Sequence, residues 1–258
     1  MSRLSSIPLI QRDKYLIISS LAALVALAWA YLLVLDLNMR DMPNMASGIH
    51  SWTPTDFVMM FVMWAVMMFA MMVPSAMRSV LIYARIVARE ESQDPLVTPS
   101  LVFVFGYIVI WTLFSIMATA LQWAMAMAAL LSPMMVTTSS SLGAALLVAA
   151  GIYQLTPFKN SCLKHCQSPV MFMATHYKKG IRGAFQLGLR HGAYCLGCCW
   201  LLMGLLFVGG VMNLIWILAI SAFVLVEKLL PAQIQSTRIT SLIMISAGSV
   251  YLVGSYLR

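Results

Sequence analysis

The stretch "HGAYCLGCCWLLMGLLFVGGVMNLIWILAISAFVLV", residues 191–226, decides the fold class of this chain. Beyond its first ten residues it is almost wholly apolar, and it is long enough for two membrane-spanning helices joined by a tight turn at "GGVMN". Yet it opens with one histidine and three cysteines, which apolar character alone does not explain. The stretch predicts a membrane fold and raises the question of what its sulfur and imidazole groups do.

The composition extends this prediction to the whole chain. Of the 258 residues, 62% are hydrophobic and 9% are charged, whereas roughly a quarter of the residues in a soluble domain are charged. Apolar runs of about spanning length, roughly 20 residues each, leave little of the sequence for a separate soluble domain. We therefore predict an all-α, polytopic transmembrane helix bundle that forms a single integral membrane domain over residues 1–258.

The apolar runs predict about seven spans, or six if one run is merged or lost. The predicted spans cover about residues 15–35, 57–77, 99–127, 142–157, a fifth that starts between 181 and 194 and ends near 209, 211–230 and 239–257. Because no small-residue cleavage site follows the first run, we expect it to be a retained span.

The charge pattern predicts the orientation. The net charge is +8, but the Lys and Arg residues lie in the short connections, so they indicate topology and not a nucleic-acid partner. In the seven-span topology 14 of the 16 Lys and Arg residues fall on one side. The positive-inside rule then places the N-terminus in the cytoplasm and the C-terminus outside, with residues 36–54 as an outer loop. Residues 159–192 form a predicted cytoplasmic connection, of which residues 159–179 are expected to be a wet stretch.

Two groups of soft-ligand residues lie at the two ends of that cytoplasmic connection. At 100° per residue, His191, Cys195 and Cys198 fall within about 60° on one helical face, with Cys199 close by. Upstream, the spacing of "CLKHC" also puts its cysteines and histidine on one face if the segment is helical. The candidate metal ligands are Cys162, His165, Cys166, His191, Cys195, Cys198 and Cys199.

Thiolate and imidazole are ligands for Cu(I), Zn²⁺ or iron–sulfur centres, whereas hard cations need carboxylate oxygens, which are scarce here. Copper is the expected ion and zinc the alternative. The other interpretation is packing, because a cysteine in an apolar helix also behaves as a small hydrophobic residue. A disulfide framework is disfavoured, since the cysteines number five and the cytoplasm is reducing.

A methionine series lies in the predicted outer loop. Met39, Met42 and Met45 have the spacing MxxMxxM, and His50 follows a few residues later. Thioethers are soft ligands that suit Cu(I). The series is thus a candidate collection point for copper outside the membrane.

The second predicted span is rich in methionine as well. Met60, Met63, Met67 and Met71 fall within about 80° on one helical face, and we interpret them as a candidate copper route. Methionine is also a flexible apolar filler, and this is our interpretation of Met59, Met68 and Met72. Pro74 is expected to kink or end the helix.

Three further features concern packing and interface residues. Gly188 and Gly192 have a GxxxG spacing that would let a neighbouring helix approach closely beside His191. Near the end of the sixth span, Glu227 and Lys228 could pair with each other or could mark the membrane interface. We interpret His176 as a residue of the membrane interface.

The segments "WAVMMFAMMVPS" (64–75), "QLTPFKNSCLKHCQSP" (154–169) and "RHGAYCLGCCWLLM" (190–203) resemble a bacterial family of predicted metal-binding integral membrane proteins of unknown function. The resemblance covers about the second to the sixth span. It implies a multi-pass protein of the bacterial inner membrane in which the seven Cys and His residues named above are the metal-associated positions. The outer methionine series lies outside the resemblance.

The leading functional hypothesis is copper handling. Outer methionines would collect Cu(I), the second span would pass it inward, and the Cys/His cluster would hold it, move it or deliver it to a membrane-protein partner or a copper chaperone. The alternative is a non-catalytic accessory subunit of a larger copper-dependent membrane enzyme, in which the cluster is structural. We expect no enzyme activity, because the sequence has no Ser/His/Asp set and no paired carboxylates; thiol redox chemistry at "CLGCC" is a third hypothesis.

Overall fold

A computed structural model describes residues 7–40, 52–90, 97–131, 136–230 and 234–256 of the chain. Over these residues it is a helical protein without a named β-strand, as the composition predicts. The helices are α1 (Ile7–Arg40), α2 (Pro54–Glu90), α3 (Val97–Met127), α4 (Ser140–Leu155), α5 (Pro157–Gln167), α6 (Pro169–His176), α7 (Gly180–Gly204), α8 (Leu206–Gly209), α9 (Leu214–Leu229) and α10 (Ile234–Tyr256).

Among the described residues, five helical segments are long and apolar enough to cross a membrane: α1, α2, α3, the α7–α8 pair and α10. A sixth is added if α4 and α5, which meet at a bend of 67°, form one broken span. The predicted count of about seven is not confirmed. The difference arises at α9 and, unless the bent pair is one span, also at α4. Each has 16 residues and reaches only about 24 Å at 1.5 Å per residue, less than the roughly 30 Å of a hydrocarbon core.

Helix α2 continues through Pro74 to Glu90, so of the two expected effects of this proline, a kink or a helix end, the helix end is wrong. Proline removes one backbone N–H donor, and membrane helices tolerate it where nearby hydroxyl groups bond to the freed backbone. The carbonyl that Pro74 leaves without its helical donor is that of Ala70; two residues further on, the Ser75 and Tyr107 hydroxyls both donate to the Met72 carbonyl, at 2.8 and 3.1 Å. The local backbone is therefore supported by side chains from α2 and α3.

Residues 159–179 were expected to be a wet connection, but the structure folds most of them into α5 and α6 and buries one face. Helix α5 begins after Thr156, whose side chain accepts a hydrogen bond from the Lys159 N–H, and Pro157 occupies its first turn. Both are strong helix-start signals. The inward residues of α5 include Lys159, which is 0% exposed, so the charge of this residue does not belong to a solvated loop.

Helices α3 and α7 approach each other closely at glycine residues. A Cβ atom built on Gly188 would lie 2.1 Å from the Phe103 carbonyl oxygen, and one built on Gly192 would lie 3.0 Å from the Ile110 side chain. This confirms the predicted close approach of a neighbouring helix at the GxxxG pair. It also places the cysteine-bearing half of α7 directly against Tyr107 of α3.

The tight turn predicted at "GGVMN" is also present. Gly210 has a φ of 97°, a left-handed conformation that glycine adopts without steric cost. Asn213 then caps α9 by accepting a hydrogen bond from the Trp216 N–H at 3.3 Å. The turn returns the chain so that the end of α9 packs beside α2, α5 and α7.

Candidate metal centre

The predicted ligands on α7 lie on its buried side. His191, Cys195, Cys198 and Cys199 are each only 1–2% exposed. The thiols of Cys198 and Cys199 both donate to the Cys195 carbonyl, at 3.0 and 2.9 Å. These contacts follow from the i, i+3 and i+4 spacing on one helix.

Helix α5 adds a fourth thiol to this group. The Cys166 side chain lies beside those of Cys195 and Cys198, close enough to interact with them, and the Cys195 side chain likewise interacts with that of Cys199. We call Cys166, Cys195, Cys198 and Cys199 the thiol cluster. All four are unoxidised and buried, so the two helices bring sulfur donors together in the interior of the bundle.

The thiol cluster is not a closed metal cage as it stands. Within the described ranges, no three or more His, Cys, Asp or Glu side chains are grouped so that they could hold a metal ion. The reason is visible in the side chains, because Cys198 and Cys199 are turned toward the Cys195 carbonyl. The structure places thiols from two helices beside one another, and two of them, those of Cys198 and Cys199, are bonded to backbone.

Cys195 has two polar partners from other helices that the sequence did not reveal. The Lys228 ammonium of α9 donates to its Sγ atom at 2.8 Å, and the Tyr107 hydroxyl of α3 lies 3.0 Å from the same atom. Lys228 also donates to the Ser75 hydroxyl at 3.0 Å. Cys195 therefore lies where α2, α3, α7 and α9 meet.

Of the two possibilities left open for Glu227 and Lys228, pairing with each other is not what the structure shows. Glu227 pairs instead with Lys159 of α5 at 2.6 Å, and the Gln154 side chain also accepts from Lys159. Adjacent residues on a helix point in different directions, which explains why their partners differ. Gln167 further donates to the carbonyls of Glu227 and Leu230, at 2.9 and 3.0 Å. Polar contacts thus join α5 to the end of α9.

The structure shows other contacts for the remaining two predicted ligands of α5. Cys162 packs against Gly197, where an added Cβ atom would come within 2.9 Å of its Sγ atom. His165 stacks on Tyr194, with ring centroids 4.2 Å apart, and its Nδ1 atom lies 2.7 Å from the Ser161 carbonyl oxygen. The "CLKHC" segment is helical, but only one of its three candidate ligands, Cys166, contacts the cluster.

His191 lies one helical turn before Cys195 in an aromatic environment. Its ring centroid is 5.7–5.8 Å from those of Phe103, Tyr107 and Phe172. Its Nδ1 atom is buried and has no hydrogen-bond partner among the described residues. A buried polar atom without a partner is costly and calls for an explanation. His176, by contrast, stacks on Phe172 near the end of α6.

The methionine stripe of α2 is mostly buried. Met63, Met67 and Met71 are buried in the same apolar core as the cysteines, and the Met60 sulfur accepts from the Gln122 side chain at 3.6 Å. Met68 and Met72, interpreted as filler, are equally buried, whereas Met59 is 60% exposed. The outer-loop residues Met42, Met45 and His50 lie outside the described residues, and of Met39 the structure gives only its place in α1.

Comparison with known proteins connects this chain to copper. A sequence model described as "PpoB2: Copper chaperone" matches residues 61–251, which is about three quarters of the chain. No curated protein and no solved structure matches. The matched region begins in α2 and contains the whole thiol cluster, Tyr107 and Lys228. The chain belongs to the PpoB2 copper chaperone family.

Proposed function

We propose that this protein is a membrane copper chaperone that holds Cu(I) in the thiol cluster and delivers it to a partner protein. The observation that carries the proposal is the convergence of the Cys166 thiol of α5 with the Cys195 and Cys198 thiols of α7. Family membership supports copper handling, and the contacts between these thiols indicate where the ion would be held.

The donor set favours copper in its reduced state. Soft thiolate ligands select Cu(I), a closed-shell ion that a pair of thiolates can hold. Glu227, the carboxylate near this end of α9, is already paired with Lys159, so this carboxylate is not free to bind a hard cation. Rotation of Cys198 or Cys199 away from the Cys195 carbonyl would supply a further sulfur.

His191 is proposed to support the centre from the next turn of α7. Its unpartnered Nδ1 atom is one of the few buried polar side-chain atoms of the described residues that lack a hydrogen bond. Imidazole nitrogen is a ligand for copper, and an ion or a transfer intermediate near Cys195 would give this atom a partner. Cys162 and His165 are assigned no direct role in holding the ion, because they contact Gly197 and Tyr194 instead.

The proposed route to the centre runs along α2. The buried sulfurs of Met63, Met67 and Met71 belong to the same apolar core as the cysteines. Thioethers bind Cu(I) more weakly than thiolates do, so an ion would move from methionine to cysteine down a gradient of affinity. The outer methionine series, the inner-membrane location and the cytoplasmic N-terminus are parts of the same proposal that rest on sequence pattern alone.

Thiol redox exchange is less favoured. It requires an accessible cysteine, whereas each member of the thiol cluster is at most 7% exposed.

Two cysteine variants test the proposal. We expect Cys166→Ser to weaken Cu(I) binding by at least about tenfold, the lower range seen when supporting groups around a metal are lost. The matched control, Cys162→Ser, changes a cysteine one turn earlier on the same helix and should keep its copper. The measurement is a competition titration of the detergent-purified protein with a Cu(I) chelator, together with elemental analysis of bound metal.

Equal copper binding in both variants and in wild type would contradict the proposal. If that result came with a stable protein complex in mild detergent, the accessory-subunit hypothesis would gain support. Zinc as the sole bound metal would likewise contradict a Cu(I) centre.

A further inference from the structure

Lys228 is a buried cation whose closest partner is a sulfur atom. Its side chain lies in the last turn of α9, the residue is 5% exposed, and its ammonium group donates to Cys195 Sγ at 2.8 Å and to the Ser75 hydroxyl at 3.0 Å. Within the described ranges no carboxylate lies within 4 Å of it. A buried charge needs a compensating charge nearby, and the group placed to provide one is the cysteine thiolate.

We infer that Lys228 makes the thiol cluster selective for univalent soft cations, Cu(I) and Ag(I), over divalent ions such as Zn²⁺. The inference rests on the proposed function, since it assumes that the thiol cluster is where the ion is held. It adds a residue that determines specificity and the chemical class of ion that the centre accepts.

Charge balance supports this assignment. A univalent ion held by two thiolates has a net charge of −1, which the Lys228 ammonium neutralises. A divalent ion held by the same two thiolates is already neutral, so the ammonium is left as an uncompensated buried charge. In an apolar interior such a charge is strongly unfavourable.

Direct repulsion acts in the same direction. An ion bound to Cys195 would lie close to the ammonium, because both contact the same sulfur atom. Coulomb energy is proportional to the charge of the ion, so the ammonium opposes a divalent ion twice as strongly as a univalent one. Burial strengthens the difference, because solvent and salt screen it little.

Neighbouring groups do not cancel this effect. Glu227, next to Lys228 in sequence, is paired with Lys159 at 2.6 Å. Tyr107, the other polar partner of Cys195, contributes a hydroxyl group that also contacts the Met72 carbonyl. The ammonium of Lys228 is thus the cationic group in direct contact with the thiol cluster among the described residues.

The test compares Ag(I) with Cd(II), which are soft ions with the same number of electrons and different charges. Competition titrations against a chelator for each ion give the ratio of the two affinities for the detergent-purified protein. In Lys228→Met we expect this ratio to shift toward Cd(II) by at least about tenfold, from the loss of one nearby charge. Lys228→Gln, which is polar and uncharged, should shift the ratio in the same direction and decides the question if the Met variant fails to fold.

Two controls separate charge from packing. Lys228→Arg keeps the charge, and Ser75→Ala removes a hydrogen-bond partner of the ammonium without changing the charge. Both should keep the wild-type ratio even if they weaken both ions. If the ratio of Ag(I) to Cd(II) affinity is unchanged in the Met and Gln variants, Lys228 does not determine selectivity. The proposed function would still stand in that case, provided that Ag(I) binding depends on Cys166. Wild-type Ag(I) binding that does not depend on Cys166 would overturn both.

Discussion

At the scale of single residues, the burial of His191 adds an energetic cost to its predicted role as a metal ligand. Its place beside the cysteines predicts a metal-associated role, and the structure adds that its ring is packed among Phe103, Tyr107 and Phe172. The unpartnered Nδ1 atom lowers the free energy of unfolding. Functional sites often retain such costs because the polar group is needed for function.

This cost makes a prediction about stability and function together. We expect His191→Phe to raise the free energy of unfolding of the metal-free protein by about 1 kcal/mol, because a ring of similar shape removes a buried unsatisfied nitrogen. The same variant should bind Cu(I) more weakly. Circular-dichroism unfolding in detergent and copper titration measure the two effects.

The matched control is His165→Phe. The His165 ring is also stacked on an aromatic ring, but its Nδ1 atom already has the Ser161 carbonyl within 2.7 Å. We therefore expect no gain in stability and no loss of copper. A His191→Phe protein that is less stable than wild type, or that binds copper normally, would show that the imidazole is a packing group.

At the scale of helices, the position of the thiol cluster depends on the contact between α3 and α7. This contact needs glycine, because the backbone of α3 occupies the space that a side chain at Gly188 would fill. The close approach brings Tyr107 to within 3.0 Å of Cys195. On the other side, α5 is held to α9 by Lys159, Glu227 and Gln167, which sets the position of Cys166.

Substitution at the glycine contact should disturb both the fold and the centre. We expect Gly188→Ala to destabilise the protein by about 1–3 kcal/mol, the usual cost of inserting a methyl group into a tightly packed interface, even though alanine favours the helix. Copper affinity should fall as well, because α3 and α7 must separate. Thermal unfolding and copper titration of the same sample test this.

Gly204, at the end of the same helix, provides the comparison. A Cβ atom there would meet nothing within 4 Å, so Gly204→Ala should leave stability and copper binding near wild type. Equal behaviour of the two variants would mean that the α3–α7 contact is looser than the structure shows.

At the scale of the whole molecule, the outer surface is apolar over most of its helices. Ile215 of α9 is 81% exposed and Val250 of α10 is 72% exposed, as expected for side chains that face lipid. The number of crossings depends on α9 and on the bent α4–α5 pair. An odd number places the two termini on opposite sides, and an even number places them on the same side.

The charge distribution predicts the odd arrangement, with the N-terminus in the cytoplasm and the C-terminus outside. We expect a C-terminal alkaline phosphatase fusion to be active and a C-terminal green fluorescent protein fusion to be dark, because the first needs the outside and the second the cytoplasm. N-terminal fluorescent protein fusions should glow and serve as the control. The reverse pattern at the C-terminus would support six spans.

How much of this could be predicted from sequence differs between the helices and the centre. The long apolar helices, the shared face of His191, Cys195 and Cys198, and the glycine contact follow from local composition and helical periodicity. The count of about seven spans is not confirmed, because α9 is shorter than the predicted sixth span and α4 is separated from α5 by a bend. The helices of residues 159–179 were missed because their mixed polar sequence resembles a loop.

Sequence alone therefore determined that the protein is a bundle of apolar helices carrying a stripe of thiols, because both properties depend on residues close together in the chain. Tertiary structure alone decided which thiols meet and what surrounds them. Cys195 receives Lys228 from 33 positions away and Tyr107 from 88 positions away, while Cys162 and His165 turn to other partners. Contacts at such separations depend on how the helices pack, and no local pattern encodes that packing.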